Sequence, residues 1–339
     1  MILRGKWGGG PGPASLSAPR PPPHFRHEED DLLHEALGSA TADYLADTLR
    51  RGDVLGVGAG RAVFHTARAL ATRPGRHRKM LGVNVIALHG RATRRVWRET
   101  SRYAPQSIDT VRVTHEFASA LPHSNPFPIH LPLVQKRPQD VGRALQQEAS
   151  FLSRKAWAAR SPAIAVIGMG IMGAPEAIGA TGGTGKRLRA VSYRGAGPIT
   201  SQLRKLRGYC RQFADRHGYS PISDVCDRLI WIAEPAEAPR LMAKAEPEIR
   251  QANAHLLAVE TGLEPTPPRE GPIDSIPGSL DQAQEVVLVA GGRFKIRAIY
   301  KVMKHLRTKH HRFADTLITD VATARALVAL AESADQAES

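Results

Sequence analysis

Short apolar segments alternate with helical patterns along most of the chain, and this alternation constrains the fold more than any other feature. Strand-like segments include DVLGVG (53–58), VNVIAL (83–88), AIAVIGMG (163–170) and EVVLVAGG (285–292). The stretches between them space their apolar residues with helical periodicity. Strands that are separated by helices pair side by side in a parallel sheet whose two faces the helices cover. The sequence therefore predicts an α/β fold with a mostly parallel sheet.

The same pattern predicts where the remaining elements lie. Helices are expected over 30–51, 61–73, 108–121, 140–160, 199–218, from residue 293 onward, and over 321–333. Strands or extended segments are expected over 128–134, 254–260 and 315–320. Residues 1–29 form a Pro/Gly-rich tail that we expect to be disordered, since it has little apolar surface to bury. The predicted domain spans 30–332, and 333–339 is a C-terminal tail.

The charge of the chain suggests an anionic partner. Its 339 residues include 47 lysines and arginines against 32 aspartates and glutamates, a formal net charge of +15. A positive field favours nucleic acid or small anions as partners. An arginine-rich proteome is the other explanation of the same charge, and it would imply no partner.

Several classes of protein do not fit the sequence. It has no apolar run long enough to span a membrane and no secretory signal core. The two cysteines, Cys210 and Cys226, can form no disulfide framework and lack metal-ligand spacing. We expect a cytoplasmic protein without a metal or cofactor, and we identify no catalytic residue.

A first glycine corner, GVGAGRAV (56–63), joins a strand to a helix. Glycines allow a backbone to approach a ligand closely, and the start of a helix presents N–H groups that suit a phosphate. Gly58, Ala59, Gly60 and the cation Arg61 are therefore candidate anion contacts. A tight turn without a ligand would give the same pattern.

A second corner, AGGRFK (290–295), repeats this arrangement more than two hundred residues later. Gly291 and Gly292 end a strand, and Lys295 lies in the first turn of the next helix. A cation at a helix start opposes the helix dipole, so an anion bound there would explain the lysine. A solvated surface lysine is the alternative.

The segment GMGIMG (168–173) matches the dinucleotide-binding spacing, but its surroundings do not. Proline and further glycines follow where a cofactor helix should begin, and no acidic residue stands about 20 positions on. We reject a nicotinamide cofactor and keep Gly168 and Gly170 as candidate effector contacts. His89, after a strand, and Asp224, in SDVCD, are weaker candidates, for which a solvated loop and a turn are the alternatives.

These segments together resemble a known family. ADYLADTLRRGDVLGVGAGRAV resembles the opening of the sugar-binding domain of SorC/DeoR-type transcriptional regulators. ISDVCDRLI resembles its Gly-Asp-[Val/Ile]-Cys-Gly-Arg segment, and VVLVAGGRFKIRAI followed by DTLITDVATARALVAL resembles its closing signature. The resemblance covers residues 30–332 and is loosest over 175–285.

The resemblance implies a Rossmann-like fold related to sugar-phosphate isomerases, and a phosphorylated sugar bound at the carboxyl edge of the sheet. It implies that both glycine corners and Lys295 face the sugar phosphate, that Asp224 approaches the hydroxyls, and that the protein forms homo-oligomers. The chain departs from the family pattern in having no recognisable N-terminal helix-turn-helix. It also departs at His89, Ser223 and Asp227, where the family usually has glycines.

Two other functions stay open at this point. Kinship of fold with the isomerases allows a phosphosugar isomerase or deaminase, with Asp224 or His89 as base. The basic segment RKLRGYCRQFADRHG (204–218) allows a nucleic-acid-associated protein.

Overall fold

The computed structural model describes residues 2–3, 25–73, 79–91, 109–147, 163–172, 197–258, 280, 283–305 and 314–338. The strands in these ranges are β1 (Ile2–Leu3), β2 (Val54–Val57), β3 (Asn84–Ala87), β4 (Asn125–Phe127), β5 (Ile164–Ile171), β6 (Ile222–Val225), β7 (Arg228–Trp231), β8 (Glu285–Val289) and β9 (Thr316–Ile318). The helices are α1 (Phe25–Thr48), α2 (Arg61–Ala71), α3 (Thr110–Ala120), α4 (Pro138–Gln147), α5 (Gly197–His217), α6 (Pro239–Ala254), α7 (Ile296–His305) and α8 (Val321–Glu338).

The strands form a mostly parallel sheet in the order β1-β9-β8-β5-β2-β3-β4. Every neighbouring pair from β9 to β4 is parallel, and β1 runs antiparallel to β9 at the edge. The central strands β2, β3 and β5 are buried almost throughout, which explains why they read as continuous apolar runs. The predicted fold class is confirmed.

The direction in which the chain adds strands reverses between β2 and β5. From β2 the chain proceeds through β3 to β4, whereas from β5 it proceeds through β8 to β9 on the other side. Ligands of open α/β sheets bind outside the carboxyl ends of the strands at such a switch point. A ligand is therefore expected to bind near the residues that follow β2 and near the end of β5.

Strands β6 and β7 form an antiparallel hairpin that pairs with the carboxyl end of β5. β5 is longer than its neighbours, and beyond its pairing with β8 it pairs with β6 over Met169–Ile171. β6 returns as β7 through a turn at Cys226 and Asp227. The hairpin was not predicted from the sequence, because SDVCD lacks the glycine that marks most two-residue turns.

Apolar clusters lie on both faces of the sheet. One cluster joins α1, α2 and α3 to β2 and β5, with Leu45, Val63, Leu70 and Phe117 fully buried. A second joins α7 and α8 to the opposite face and to the hairpin, and a third packs α5 and α6 against the hairpin. Burial of one large aliphatic or aromatic side chain stabilises a fold by about 1.5–3 kcal/mol, so these clusters hold the layers together.

The segment 128–134 is extended, which is one of its two predicted alternatives, whereas the described residues 254–258 form no strand of the sheet, contrary to the strand predicted over 254–260. Residues 128–134 follow β4 rather than form it, and at 254–258 the chain leaves α6; both make isolated bridges, Arg91 with Pro132, Val134 with Leu256 and His89 with Ala258. The apolar residues there pack into two small buried clusters, one containing Ile129 and Leu257 and the other Leu133 and Leu256, which gives an extended segment the composition of a strand.

The chain ends differ in extent from the predicted tails. Ile2 and Leu3 form the edge strand β1 within the segment 1–29, α1 begins at Phe25 and α8 continues to Glu338. The domain boundaries stay a prediction. In the ranges that the structure describes, we find no helix with the length and apolar character needed to cross a bilayer.

Candidate functional site

The first glycine corner lies at the switch point. Gly58 continues the pairing of β2 by donating its N–H to the carbonyl of Val166 at 2.9 Å. Gly60 has a φ of 147°, a backbone conformation open mainly to glycine, and α2 begins at Arg61 directly after it. α2 follows β2 directly, so its first N–H groups lie at the carboxyl edge of the sheet, and no side chain caps them.

The corner is packed closely against β5 and the hairpin. A Cβ atom on Gly58 would lie 3.3 Å from the Sγ of Cys226, and one on Gly168 would lie 3.3 Å from the carbonyl oxygen of Ala59. The N–H of Cys226 donates to the carbonyl of Gly168 at 3.3 Å. Glycine at 58 thus allows close contact with the Cys226 side chain, and glycine at 168 allows close contact with the backbone of Ala59, in addition to any approach of a ligand.

His89 is part of this corner. Its Nε2 accepts a hydrogen bond from the Ala59 N–H at 2.8 Å, and the side chain is buried. Because an amide N–H can only donate, Nε2 carries no proton, and the proton of the neutral ring is on Nδ1. Nδ1 lies 2.9 Å from the Oδ2 of Asp227. The imidazole therefore bridges the corner and the tip of the hairpin.

Asp227 is a residue of the site that the sequence analysis did not select. It is buried in the β6–β7 turn, where it has a φ of 67° and Cys226 has a φ of 48°. Residues other than glycine rarely adopt such angles, although aspartate does so more readily than most. The available signal was that both His89 and Asp227 replace glycines of the family pattern.

The neighbouring elements position His89 from the other side. Thr110, in the first turn of α3, places its Oγ1 2.7 Å from Nδ1 of His89. Asp109 caps α3 by accepting the Arg112 N–H at 2.9 Å, and it also accepts from Nε of Arg91 at 3.0 Å. The start of α3 is thereby held against the end of β3.

Arg228 fixes the hairpin to the segment that follows α6. Its guanidinium donates to the carbonyls of Asn253 at 2.6 Å and Ala258 at 2.7 Å. The Asn253 side chain also bonds both backbone groups of Leu229, each at 2.9 Å. Ala258 also forms a bridge with His89. The β6–β7 hairpin, the segment that follows α6 and the end of β3 are therefore connected to one another.

Asp224 and Gly170 face each other in the pairing of β6 with β5. Asp224 is buried, and the hydroxyl of the adjacent Ser223 bonds the Gly170 carbonyl. Gly168 and Gly170 both lie inside strand β5 rather than in a turn.

The second corner follows β8. Gly292 has a φ of 94°, and its N–H lies 2.8 Å from Oδ2 of Asp320 and 2.9 Å from Oγ1 of Thr323. Lys295 ends a short 3₁₀ turn, Arg293–Lys295, directly before α7, and is half-buried. A Cβ atom on Gly291 would lie only 2.5 Å from Oδ2 of Asp320, so a side chain at this position would displace the carboxylate.

Asp320 was also missed by the sequence analysis. It caps α8 by accepting the Thr323 N–H at 2.8 Å, in addition to its bond from Gly292. Burial acts to raise the pKa of Asp320, but the hydrogen bonds from Thr323 and Gly292 together outweigh it and hold the pKa below its ordinary value. The second corner therefore contains an ionised carboxylate.

The two corners lie on the same edge of the sheet, with β5 between them. Gly168 is in register with Val289 of β8 on one side and contacts Ala59 on the other. Two strand spacings separate β2 from β8, which is roughly 10 Å. The structure thus brings Gly58, Ala59, His89 and Gly168 into contact, and places Gly291, Gly292 and Lys295 one strand beyond them.

The basic segment forms α5 on a separate layer, packed on α6. Arg204, Lys205, Arg211 and Arg216 are exposed, while Arg207 is half-buried. Lys205 lies 3.4 Å from Glu248 of α6. Over the described ranges, we find no group of histidine, cysteine, aspartate or glutamate residues arranged to hold a metal ion.

Comparison with known proteins identifies the family. Residues 24–191 match the family described as "Putative sugar-binding domain". No protein with a curated description is significantly similar to the chain in sequence.

Solved structures with the same fold are transcriptional regulators. The full-length sorbitol operon regulator SorC from Klebsiella pneumoniae has a TM-score of 0.55 at 16% identity, over 89% of this chain and 72% of that one. The "Putative Sugar-Binding Domain of Transcriptional Repressor" from Vibrio fischeri has a TM-score of 0.54 at 15% identity, over 94% and 92%. A DeoR family transcriptional regulator from Listeria monocytogenes has a TM-score of 0.51 at 12% identity, over 89% and 97%.

These findings confirm the resemblance drawn from the sequence. The glycine corners, the strand order and the family match point to the same group of proteins. Residues 24–191 of the chain therefore match the sugar-binding domain family, and the chain has the fold that SorC- and DeoR-type transcriptional regulators share.

Proposed function

We propose that this chain is an effector module that binds a phosphorylated sugar, or a similar small anion, in the regulation of transcription. The observation that carries the proposal is the position of the two glycine corners. They flank β5 at the carboxyl edge, and a cation follows each one, Arg61 at the first and Lys295 at the second. The match of residues 24–191 to the sugar-binding domain family supports a sugar as the class of ligand.

The phosphate end of the ligand would bind between the corners. The start of α2 offers backbone N–H groups and a positive dipole end to an anion. Arg61 and Lys295 would add charge-assisted hydrogen bonds, each contributing about 1.5–3 kcal/mol. The sugar hydroxyls would then extend along β5 toward Gly170 and Asp224, which face each other across the β5–β6 pair.

Calorimetric titration with phosphorylated sugars and their unphosphorylated counterparts tests this function. We expect measurable affinity only for the phosphorylated set, and Lys295→Gln should weaken it on the order of tenfold or more. Lys244→Gln, at an exposed position on α6, is the matched control and should leave the affinity unchanged. Equal binding of both sets, or none by either, would contradict the proposal.

We expect binding without turnover. A base in an isomerase needs an available lone pair, and the lone pair of Nε2 in His89 accepts the Ala59 N–H. Prolonged incubation with a phosphorylated sugar that binds should leave its NMR spectrum unchanged. Conversion of the sugar, abolished by Asp224→Asn, would support the isomerase instead.

The proposal includes a cytoplasmic setting, homo-oligomers and a second contact with nucleic acid. Four exposed cations along α5, against a single acidic residue in that helix, favour contact with a phosphate backbone. This contact would lie on a layer separate from the sugar site, so that effector and nucleic acid could bind together.

A further inference from the structure

We propose that His89 is an internal ligand of the first corner, a latch that an incoming anion must displace before it can use the Ala59 N–H. The inference rests on the proposed function, because it concerns how the same corner receives the phosphate group. It adds that the structure holds the corner in a closed state.

The direction of one hydrogen bond carries the argument. The Ala59 N–H points at Nε2 of His89 from 2.8 Å, and an amide N–H makes strong bonds only along its own axis. Any other acceptor of this N–H must therefore occupy the position of Nε2. A phosphate oxygen cannot do so while the imidazole remains, and the ring is 1% exposed, so it cannot be bypassed from solvent.

While the His89 ring accepts the Ala59 N–H, the charges around the ring also disfavour the binding of an anion. The ring presents an unprotonated nitrogen to the corner, and its Nδ1 lies near three oxygens: Oγ1 of Thr110 at 2.7 Å, Oδ2 of the buried Asp227 at 2.9 Å and the Gly90 carbonyl at 3.0 Å. Two cations near the ring have other contacts: Arg91 binds Asp109, and the guanidinium of Arg228 binds two backbone carbonyls. A phosphate at Ala59 would thus meet an acceptor backed by a carboxylate.

The hairpin turn is coupled to the latch. Cys226 and Asp227 have φ angles of 48° and 67°, which are unfavourable for residues with a side chain. The contacts of Asp227 with His89 and of the Cys226 N–H with Gly168 hold the turn against the corner. Displacement of the imidazole removes one of these contacts, so occupancy of the corner would be transmitted to β6 and β7.

Two variants of His89 test the contacts of Nδ1 and Nε2 separately. In His89→Asn, the side-chain amide reaches the position of Nδ1 and can still bind Asp227, but nothing reaches Ala59. In His89→Gln, the amide oxygen reaches the position of Nε2 and can still accept the Ala59 N–H, but the contact with Asp227 is lost. Affinity for inorganic phosphate and for glucose 6-phosphate is measured by calorimetry, and protection of the Ala59 amide is measured by hydrogen exchange.

We expect His89→Asn to bind phosphate on the order of tenfold more tightly than the wild type, because one competing hydrogen bond is gone. His89→Gln should stay within about threefold of the wild type, as its oxygen still competes. Without ligand, the Ala59 amide should be protected in the wild type and in His89→Gln, and exposed to exchange in His89→Asn.

The outcomes separate this inference from the proposed function. If the wild type binds and His89→Asn binds no better, or more weakly, the latch is refuted while the effector site stands. If His89→Asn binds phosphate and the wild type binds no anion, the latch stands and the proposed function of the wild type fails. If no variant binds, both are wrong. Tighter binding by His89→Gln as well as by His89→Asn would show that the effect does not depend on the hydrogen bond from the Ala59 N–H, and would overturn the latch.

Discussion

Nδ1 of His89 lies 2.9 Å from Oδ2 of Asp227, and the side chains are only 1% and 3% exposed. One residue ends a strand of the parallel sheet and the other lies in the turn of an antiparallel hairpin. Their contact ties the hairpin to the switch point of the sheet. This contact, more than any apolar cluster, relates the hairpin to the candidate effector site.

Replacement of Asp227 should lower the free energy of unfolding through loss of its contact with His89, and the size of the loss should depend on the backbone strain of the turn. Asp227→Ala loses the bond to His89 and keeps an unfavourable φ, so we expect the free energy of unfolding to fall by about 2–4 kcal/mol. Asp227→Gly loses the same bond but tolerates the angle, and should be less destabilising by about 1 kcal/mol. Urea denaturation of both proteins measures the difference. Equal losses would mean that the turn relaxes without strain.

Gly291 should not tolerate a side chain. The Cβ of Gly291→Ala would meet Oδ2 of Asp320 at 2.5 Å and push the carboxylate away from the Gly292 N–H. Loss of this contact and of the α8 cap should lower the unfolding free energy by about 1–3 kcal/mol. Gly208→Ala is the control: it lies in α5 with nothing within 4 Å of its Cβ, and should gain about 0.5–1 kcal/mol from helix propensity. A neutral Gly291→Ala would show that the corner can shift.

Asp320 should make stability depend on acid pH. Its pKa is lowered in the folded protein, because its hydrogen bonds outweigh the effect of burial. A carboxyl whose folded pKa is depressed stabilises the fold above its unfolded pKa of about 3.9, and this contribution is lost as the pH falls through the folded value. The wild type should therefore exceed Asp320→Asn in stability at pH 7, and the difference should shrink below about pH 4. Urea midpoints at a series of pH values test this, and a difference that does not change with pH would contradict it.

The exposed cations of α5 should contribute to any binding of nucleic acid. Arg204→Gln combined with Arg211→Gln should weaken binding to a DNA duplex and reduce the slope of log affinity against log salt by about 1–2. The same change at Arg240 and Lys244, exposed on α6, provides a control of equal charge. Fluorescence anisotropy over a range of salt concentrations measures both slopes. If the wild type binds no DNA even at low salt, α5 is only a solvated helix surface.

Much of the fold was predictable because its signals are local. The apolar run of AIAVIGMG marked β5, and the spacing in TVRVTHEFASA marked α3, whose Asp109 cap is also visible in the sequence. The two glycine corners were found because a strand that turns directly into a helix needs glycine where φ is positive, as at Gly60 and Gly292. Periodicity and backbone freedom are properties of neighbouring residues, so one sequence suffices to read them.

The candidate site was only partly predictable for the opposite reason. His89 was selected as a residue at a strand end, but its partner Asp227 was not, since the β6–β7 hairpin brings the two together. Asp320 likewise stands in an ordinary strand-to-helix connection, and only the pairing of β8 with β9 places it beside Gly292. Such contacts depend on the order of strands in the sheet.

By itself, the sequence determined the alternation of strands and helices, the two glycine corners and the resemblance to the sugar-binding domain family. Tertiary structure alone decided that both corners lie on one edge of the sheet with β5 between them. It also decided which side chains accept hydrogen bonds from the N–H groups of the corners. Propensities and turns act over a few residues and are written along the chain. The acceptor that meets a given N–H is chosen by packing between segments that are far apart in sequence, so it exists only once the sheet and its hairpin have formed.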